Sequence, residues 1–187
     1  MNAAEGRMGV VKEGGMLGME YLETPVGPLL LVTDEDGRLH AVEWVDYQER
    51  MFRLLAAQQG AERATIRMRP GRSAAADALA AYFSGELDAL DTLSVHMSGT
   101  PFQRTVWAEL RRITVGTTIT YGELARRIGR PAAIRAVGSA NRVNSVNVVI
   151  PCHRVVGANA SLTGYGSGLP RKQWLLDHEA GRLTLFA

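Results

Sequence analysis

The sequence predicts an α/β (α+β) chain in two parts: a small N-terminal sheet with helices, then a mainly helical C-terminal module containing a helix-turn-helix. Three observations carry this. Short strand-like runs crowd residues 20–44 between turn residues. From Phe102 onward the apolar spacing takes the three-and-four rhythm of helices. The charge also changes sign: residues 1–100 hold 9 Lys+Arg against 15 Asp+Glu, and residues 101–187 hold 12 against 4. A basic second half favours polyanions through phosphate contacts, although a solvated basic face has the same composition.

Residues 1–18 are rich in Gly and lack an apolar core segment, so they read as a flexible tail and not a secretory signal. Residues 19–98 read as an α/β scaffold domain. Glu20 to Thr24, Pro28 to Thr33 and Arg38 to Trp44 are strand-like, and Asp34-Glu35-Asp36-Gly37 supplies a hairpin turn. A small antiparallel sheet follows from that spacing. Tyr47 to Gln58 reads as a helix, Gly60 to Gly71 as a loop, and Ser73 as the cap of a helix running to Phe83 and stopped by Gly85. His40 and His96 read as isolated structural histidines. Nothing in this half gathers catalytic residue types.

The second domain, residues 99–187, begins near Ser98-Gly99-Thr100-Pro101. Val106, Trp107, Leu110 and Ile113 make one apolar stripe, broken by Gly116. Thr120 with Glu123 predicts a capping box for the helix at Tyr121–Ile128. Gly129-Arg130-Pro131 breaks it, with Pro131 opening a second helix to Asn141. That second helix is built from Ala132, Ala133, Ala136, Gly138, Ser139 and Ala140 around Arg135. A slim helix suits a DNA minor groove about 6 Å wide; it equally suits close helix packing. The loop from Gly157 to Gly168 is rich in Gly but lacks the P-loop pattern. Arg171 to Ala180 reads as the last helix. With 46% apolar and 21% charged residues the composition is that of a soluble protein, and no apolar run approaches the about 18 residues of a membrane span. A reducing, cytoplasmic setting is the expectation.

Cys152 is the one cysteine, in Ile150-Pro151-Cys152-His153-Arg154-Val155, which excludes an internal disulfide and a multi-thiolate metal site. It follows the strand-like run Val146–Ile150. A histidine and an arginine come next, residue types awkward to bury beside a core thiol and able to promote a thiolate. The alternative is a small buried hydrophobe.

Pro-Cys-His-Arg-Val at 151–155, downstream of Arg135-Ala136-Val137-Gly138 and Asn144, resembles the O6-alkylguanine-DNA alkyltransferase family. The likeness runs from about Thr100 to Glu179, takes in Gly164-Tyr165 and Lys172-Gln173-Trp174-Leu175-Leu176, and extends less diagnostically to Thr24-Pro25-Val26-Gly27-Pro28-Leu29. It implies a ribonuclease H-like N-terminal domain and a winged-helix-like C-terminal one. It implies direct-reversal repair: an O6-alkyl group of guanine, and that of O4-alkylthymine, passes once and irreversibly to Cys152 after base flipping. It further implies a relay Glu179–His153–water–Cys152, with Asn144 shaping the turn that presents the thiol. Tyr121, Tyr165, Gly166 and Lys172 would build the base pocket with the Cys152 and Val155 carbonyls. Arg135 would fill the gap in the duplex, and Gly122, Arg130 and Ala158 would touch the strand backbone. The implied partner is double-stranded DNA with alkylated bases; no cofactor, metal, membrane or obligate protein partner is implied.

The chain departs from the family in places. Asn144-Ser145 stands where many members have Asn-Pro, Asn147 replaces an apolar or proline residue, and Ile134 replaces a small one. Two rival readings use the same residues. A cysteine hydrolase would pair Cys152 with His153 or His178 and turn over. A non-catalytic lesion-binding protein would lack the cysteine.

Overall fold

The computed structural model describes residues 15–59 and 65–182. Three strands come first, β1 (Met16–Leu22), β2 (Leu29–Thr33) and β3 (Leu39–Trp44). β2 is antiparallel to both of the others, with Tyr21 opposite Leu30 and Leu31 opposite Val42. The unbroken apolar run of β2 is explained by burial on both faces. Leu30 and Val32 pack with Met51 and Leu55 of α1 (Gln48–Gln59), while Leu29 and Leu31 face the main core. A fully buried Leu or Val of this kind stabilises the fold by about 1.5–3 kcal/mol.

Two expectations for this half are corrected. Residues 16–18, read as tail, belong to β1, because Leu17 is buried against α1; residues 1–14 lie outside the described residues. The loop expected over residues 60–71 contains a fourth strand, β4 (Thr65–Met68), parallel to β1. The sheet order is therefore β3-β2-β1-β4 and the sheet is mixed. β4 is an edge strand in which only Ile66 packs inward, so it lacks the alternation that marks a strand in sequence. α2 (Ala74–Phe83) starts as expected, with the Ser73 hydroxyl accepting from the Ala76 N–H at 3.1 Å. His40 and His96 are not isolated: their rings stack 4.3 Å apart, and His40 bonds Asp34 at 3.1 Å.

The second half opens with α3 (Pro101–Leu110), whose Thr100 and Gln103 form a complete capping box. β5 (Ile119–Thr120) leads into α4 (Tyr121–Arg127), and α5 (Ile134–Arg142) follows. Thr120 does cap α4, but Glu123 turns outward to Arg126 and Arg127, so only half of the expected box forms. α5 begins three residues after Pro131, because residues 131 and 132 make a turn first. α5 packs on α3 and α4 through Val137, Ala140 and Asn141, while Arg135, Ala136 and Ser139 face outward. Close packing and an open slim face thus coexist on opposite sides. A Cβ at Gly138 would meet only the Tyr121 ring at 3.9 Å, so packing does not demand glycine there.

β6 (Val155–Val156) pairs in parallel with β5, and α6 (Leu169–Glu179) is the last element of the described residues, starting two residues earlier than its sequence pattern indicates. The strand expected at Val146–Ile150 is a series of turns. Val146 bridges to Val42, and the backbone of Val42 bonds both the Ser145 carbonyl and the Asn147 N–H at 2.9 Å. One continuous core runs across both halves, from Leu29 and Trp44 to Val137, Ile150 and Leu175.

Candidate active site

Cys152 begins a 3-10 turn, Cys152–Arg154, between the 144–150 turns and β6. Asn144 organises the approach. Its Oδ1 accepts from the Val146 N–H at 3.0 Å, and its Nδ2 donates to the Ile150 carbonyl at 2.9 Å and to Cys152 Sγ at 3.2 Å. Between these points Val148 takes φ +69°, a left-handed conformation that strains a β-branched residue by about 1–3 kcal/mol. The Asn144 bonds and the Val42 bridge hold the segment in that shape.

The flanking residues are buried, contrary to expectation: Cys152 is 4% exposed, His153 0% and Arg154 8%. Burial is tolerated because Glu179 at the end of α6 meets them. His153 Nε2 lies 2.8 Å from Glu179 Oε1, and Arg154 donates from Nε and Nη2 to the two carboxylate oxygens at 2.9 Å each. Tyr82 of α2 adds its hydroxyl at 2.8 Å, and the Gly116 N–H donates at 3.3 Å. Burial alone would raise the Glu179 carboxyl, but His153 and Arg154 hold it well below the usual carboxylate range. Burial lowers the His153 pKa, with Glu179 opposing, so the ring is neutral at rest. Its Nε2–H then faces the carboxylate, and Nδ1, buried and without a partner among the described residues, keeps its lone pair.

Arg154 is therefore occupied by Glu179 and does not activate the thiol. Burial pushes the Cys152 thiol above its ordinary value, against the Asn144 hydrogen bond and the positive charges of Arg50 and Lys172. The resting sulfur is a thiol, not the standing thiolate that basic flanks suggest.

Lys172 of α6 is fully buried. Its Nζ donates to the Val155 carbonyl at 2.5 Å and the Thr163 carbonyl at 2.7 Å, tying α6 to β6 and to the middle of the 157–168 loop, and desolvation pushes its pKa down to about 8. Tyr165 is buried edge-on to Trp44, its hydroxyl without a partner among the described residues. Tyr121 opens α4 and donates to the Gly164 carbonyl at 3.4 Å. Gly164 has to be glycine: its φ is +63°, and a Cβ would lie 2.7 Å from the Tyr121 hydroxyl. Gly166 is half-buried close to Arg50. Gly122 is half-buried in the first turn of α4, while Arg130, Arg135 and Ala158 are exposed. His178 bonds the Tyr82 carbonyl at 2.7 Å and stacks on Trp174, so it is engaged away from the thiol.

The N-terminal half does more than support. Arg50 of α1 pairs with buried Glu43 and donates to the Arg142 and Asn144 carbonyls, the latter at 3.2 Å. Ser167 donates to Glu43 at 2.6 Å. Tyr82, Glu43 and Arg50 escaped the sequence reading, although an acid inside the apolar run Leu39–Trp44 signals a buried partner.

Residues 18–97 match the family model described as the ribonuclease-like domain of 6-O-methylguanine DNA methyltransferase, and residues 101–181 match its DNA binding domain. The methylated-DNA–protein-cysteine methyltransferase of Salmonella typhimurium is 50% identical over 163 residues, covering 86% of this chain and 94% of that protein. The one from Methanosarcina acetivorans is 41% identical over 157 residues, covering 84% and 94%. The crystal structure of Mycobacterium tuberculosis O6-methylguanine methyltransferase superposes with TM-score 0.72 at 36% identity, covering 91% of this chain and 96% of that one. The same organism's protein in complex with DNA matches with TM-score 0.72 at 37% identity, covering 90% and 96%.

Proposed function

Because the chain belongs to the 6-O-methylguanine DNA methyltransferase family, we propose that Cys152 is its alkyl acceptor and that residues 99–187 carry the reaction on the scaffold of residues 19–98. The protein is a methylated-DNA–protein-cysteine methyltransferase that acts on duplex DNA. The observation that carries the assignment is a lone buried thiol held at 3.2 Å by Asn144, next in sequence to a neutral His153 backed by Glu179. His153 Nδ1 takes the thiol proton through a bridging water, and Glu179 stabilises the imidazolium that forms. The sulfur then attacks the alkyl carbon. The C–O6 bond breaks, its electron pair stays on the oxygen, and a proton returns to the base, so neutral guanine leaves. The product is a thioether, which thiol exchange cannot reopen. One molecule thus repairs one lesion, and O4-alkylthymine enters by the same displacement.

The target base must leave the stack, at a cost of a few kcal/mol. In this reading Tyr121 donates to the guanine ring nitrogen and Tyr165 walls the pocket. The Gly166 N–H faces the leaving oxygen. Lys172 fixes the Val155 carbonyl that receives the exocyclic amine. Gly122, Arg130 and Ala158 meet the strand backbone, and Arg135 enters the gap. No helix of the described residues is long and apolar enough to cross a membrane; we place the protein in the cytoplasm, on the nucleoid while bound.

Mass spectrometry after incubation with an O6-methylguanine duplex tests the proposal. One stable added methyl on the Cys152 peptide is expected. An unmodified protein that hydrolyses an ester repeatedly points to the hydrolase instead. For Arg135→Ala, repair in duplex DNA falls about tenfold, since the flipped state loses its filler, while reaction with a free O6-alkylguanine base is unchanged. Equal losses on both substrates remove Arg135 from the gap.

A further inference from the structure

The geometry points to Asn147 as a positioning residue that senses the protonation state of Cys152, accepting from the thiol at rest and donating to the thiolate when it forms. The inference rests on Cys152 being the acceptor. Asn147 is 1% exposed, and its Oδ1 lies 3.8 Å from Cys152 Sγ, within reach of the S–H. Its Nδ2 is buried with no partner among the described residues. Its backbone is pinned, with the N–H donating to Val42 at 2.9 Å and the carbonyl accepting from Val149 at 2.8 Å. Only the terminal amide is free to turn.

At rest the sulfur sits between two amides of opposite sense. Asn144 donates to it at 3.2 Å with a group whose other bonds fix its orientation. Asn147 offers an acceptor. Once the proton has gone to His153, an amide oxygen facing the sulfur becomes repulsive. A half-turn about the terminal bond of Asn147 exchanges oxygen for the unpartnered NH2 group. The thiolate then has two donors, and hydrogen bonds to a charged acceptor are about twice as strong as neutral ones. The other charged groups that bear on this sulfur come from three elements: Arg50 on α1 and Lys172 on α6 favour the thiolate, and Glu43 on β3 opposes it. Tyr121 and Tyr165 are the other titratable groups facing the thiol. Arg50, Lys172 and Glu43 are held by other hydrogen bonds, whereas the Asn147 amide, in hydrogen-bond reach of the sulfur, can reverse its polarity.

The test compares Asn147→Leu, which keeps the shape and loses the dipole, with Asn147→Asp, which keeps the acceptor and cannot donate. Transfer from a free O6-alkylguanine base is followed against pH. For Asn147→Leu the neutral-pH rate falls about tenfold and the high-pH limb moves up by about one pH unit, the change expected for a thiol pKa raised by that amount. Asn147→Asp moves both further. An unchanged profile in Asn147→Leu overturns the role. Should the variants unfold, the isotope-labelled side-chain amide of Asn147 in the wild-type protein decides. Its resonances follow the Cys152 titration and shift on methylation if the amide reverses, and insensitivity to both overturns the inference. Wild-type protein that gains no methyl on Cys152 would instead sink the acceptor assignment on which this role rests.

Discussion

Replacing Cys152 with Ala leaves a protein that binds lesion-bearing duplex DNA and transfers nothing. The loss is complete because this is the only thiol in the chain, and it is the sulfur that Asn144 holds. The fold survives because the bonds that shape the 144–150 turns do not pass through the sulfur. Asn144 keeps Val146 and Ile150, and Val42 keeps Ser145 and Asn147. The exposed Arg130 and Arg135 are untouched, so the phosphate-driven part of affinity and its salt dependence stay. Anisotropy with a labelled duplex reports binding, and peptide mass reports transfer. Methyl transfer by the Ala protein would end the mechanism.

Wild-type rates carry a matching signature. A buried thiol shifted up and a buried imidazole shifted down leave a wide interval in which the resting pair is S–H and neutral ring. Moving the proton from one to the other changes no net protonation. The rate is therefore flat across neutral pH, falling below the His153 pKa and changing again only when the thiol itself ionises.

What was legible in the sequence was what local spacing controls. The helix pair α4–α5, its glycine break and the Ser73 and Thr120 caps follow from side chains within four residues of each other. Cys152 was conspicuous by being single, and its family motif is contiguous. What failed was set by distant partners. The 146–150 run is apolar enough for a strand, yet the two Asn144 bonds and Val42 fold it into turns. Arg154 stands two residues after the thiol and so suggests thiolate activation, but neighbours in sequence need not meet in space, and the fold turns it to Glu179, 25 residues on. Tyr82 reaches that carboxylate across 97 residues, and Arg50 reaches Asn144 across 94, separations at which no local pattern speaks. The N-terminal half was read as a scaffold for that reason, whereas it supplies a hydrogen bond to Glu179 and another to the Asn144 backbone.

Glu179→Gln is expected to damage stability and transfer together, with separable signatures. The carboxylate accepts from Tyr82, Arg154, His153 and Gly116 in a site where its side chain is fully buried. A glutamine has one acceptor oxygen and turns an NH2 group toward these donors, leaving the Arg154 charge without its counter-ion. Breaking a buried pair from one side costs about 3–5 kcal/mol, and at about 2–4 °C per kcal/mol for a chain of this size the melting temperature drops by roughly 6–20 °C. The pH dependence has a definite sign. In the folded protein the carboxyl is held far below its ordinary 4.5, so its stabilisation is present above that value and is lost as pH falls through the folded pKa. The glutamine protein cannot titrate there, and the gap in melting temperature between the two proteins narrows as the pH is taken well below 4.5. Transfer at a temperature where both are folded falls about a hundredfold, the lower end of what a positioned general base contributes. Without the carboxylate the imidazolium is unsupported, so His153 becomes a weaker base and the neutral plateau drops in height. A variant that loses stability but keeps the wild-type plateau and pH profile would leave Glu179 a structural hub and take it out of the proton path.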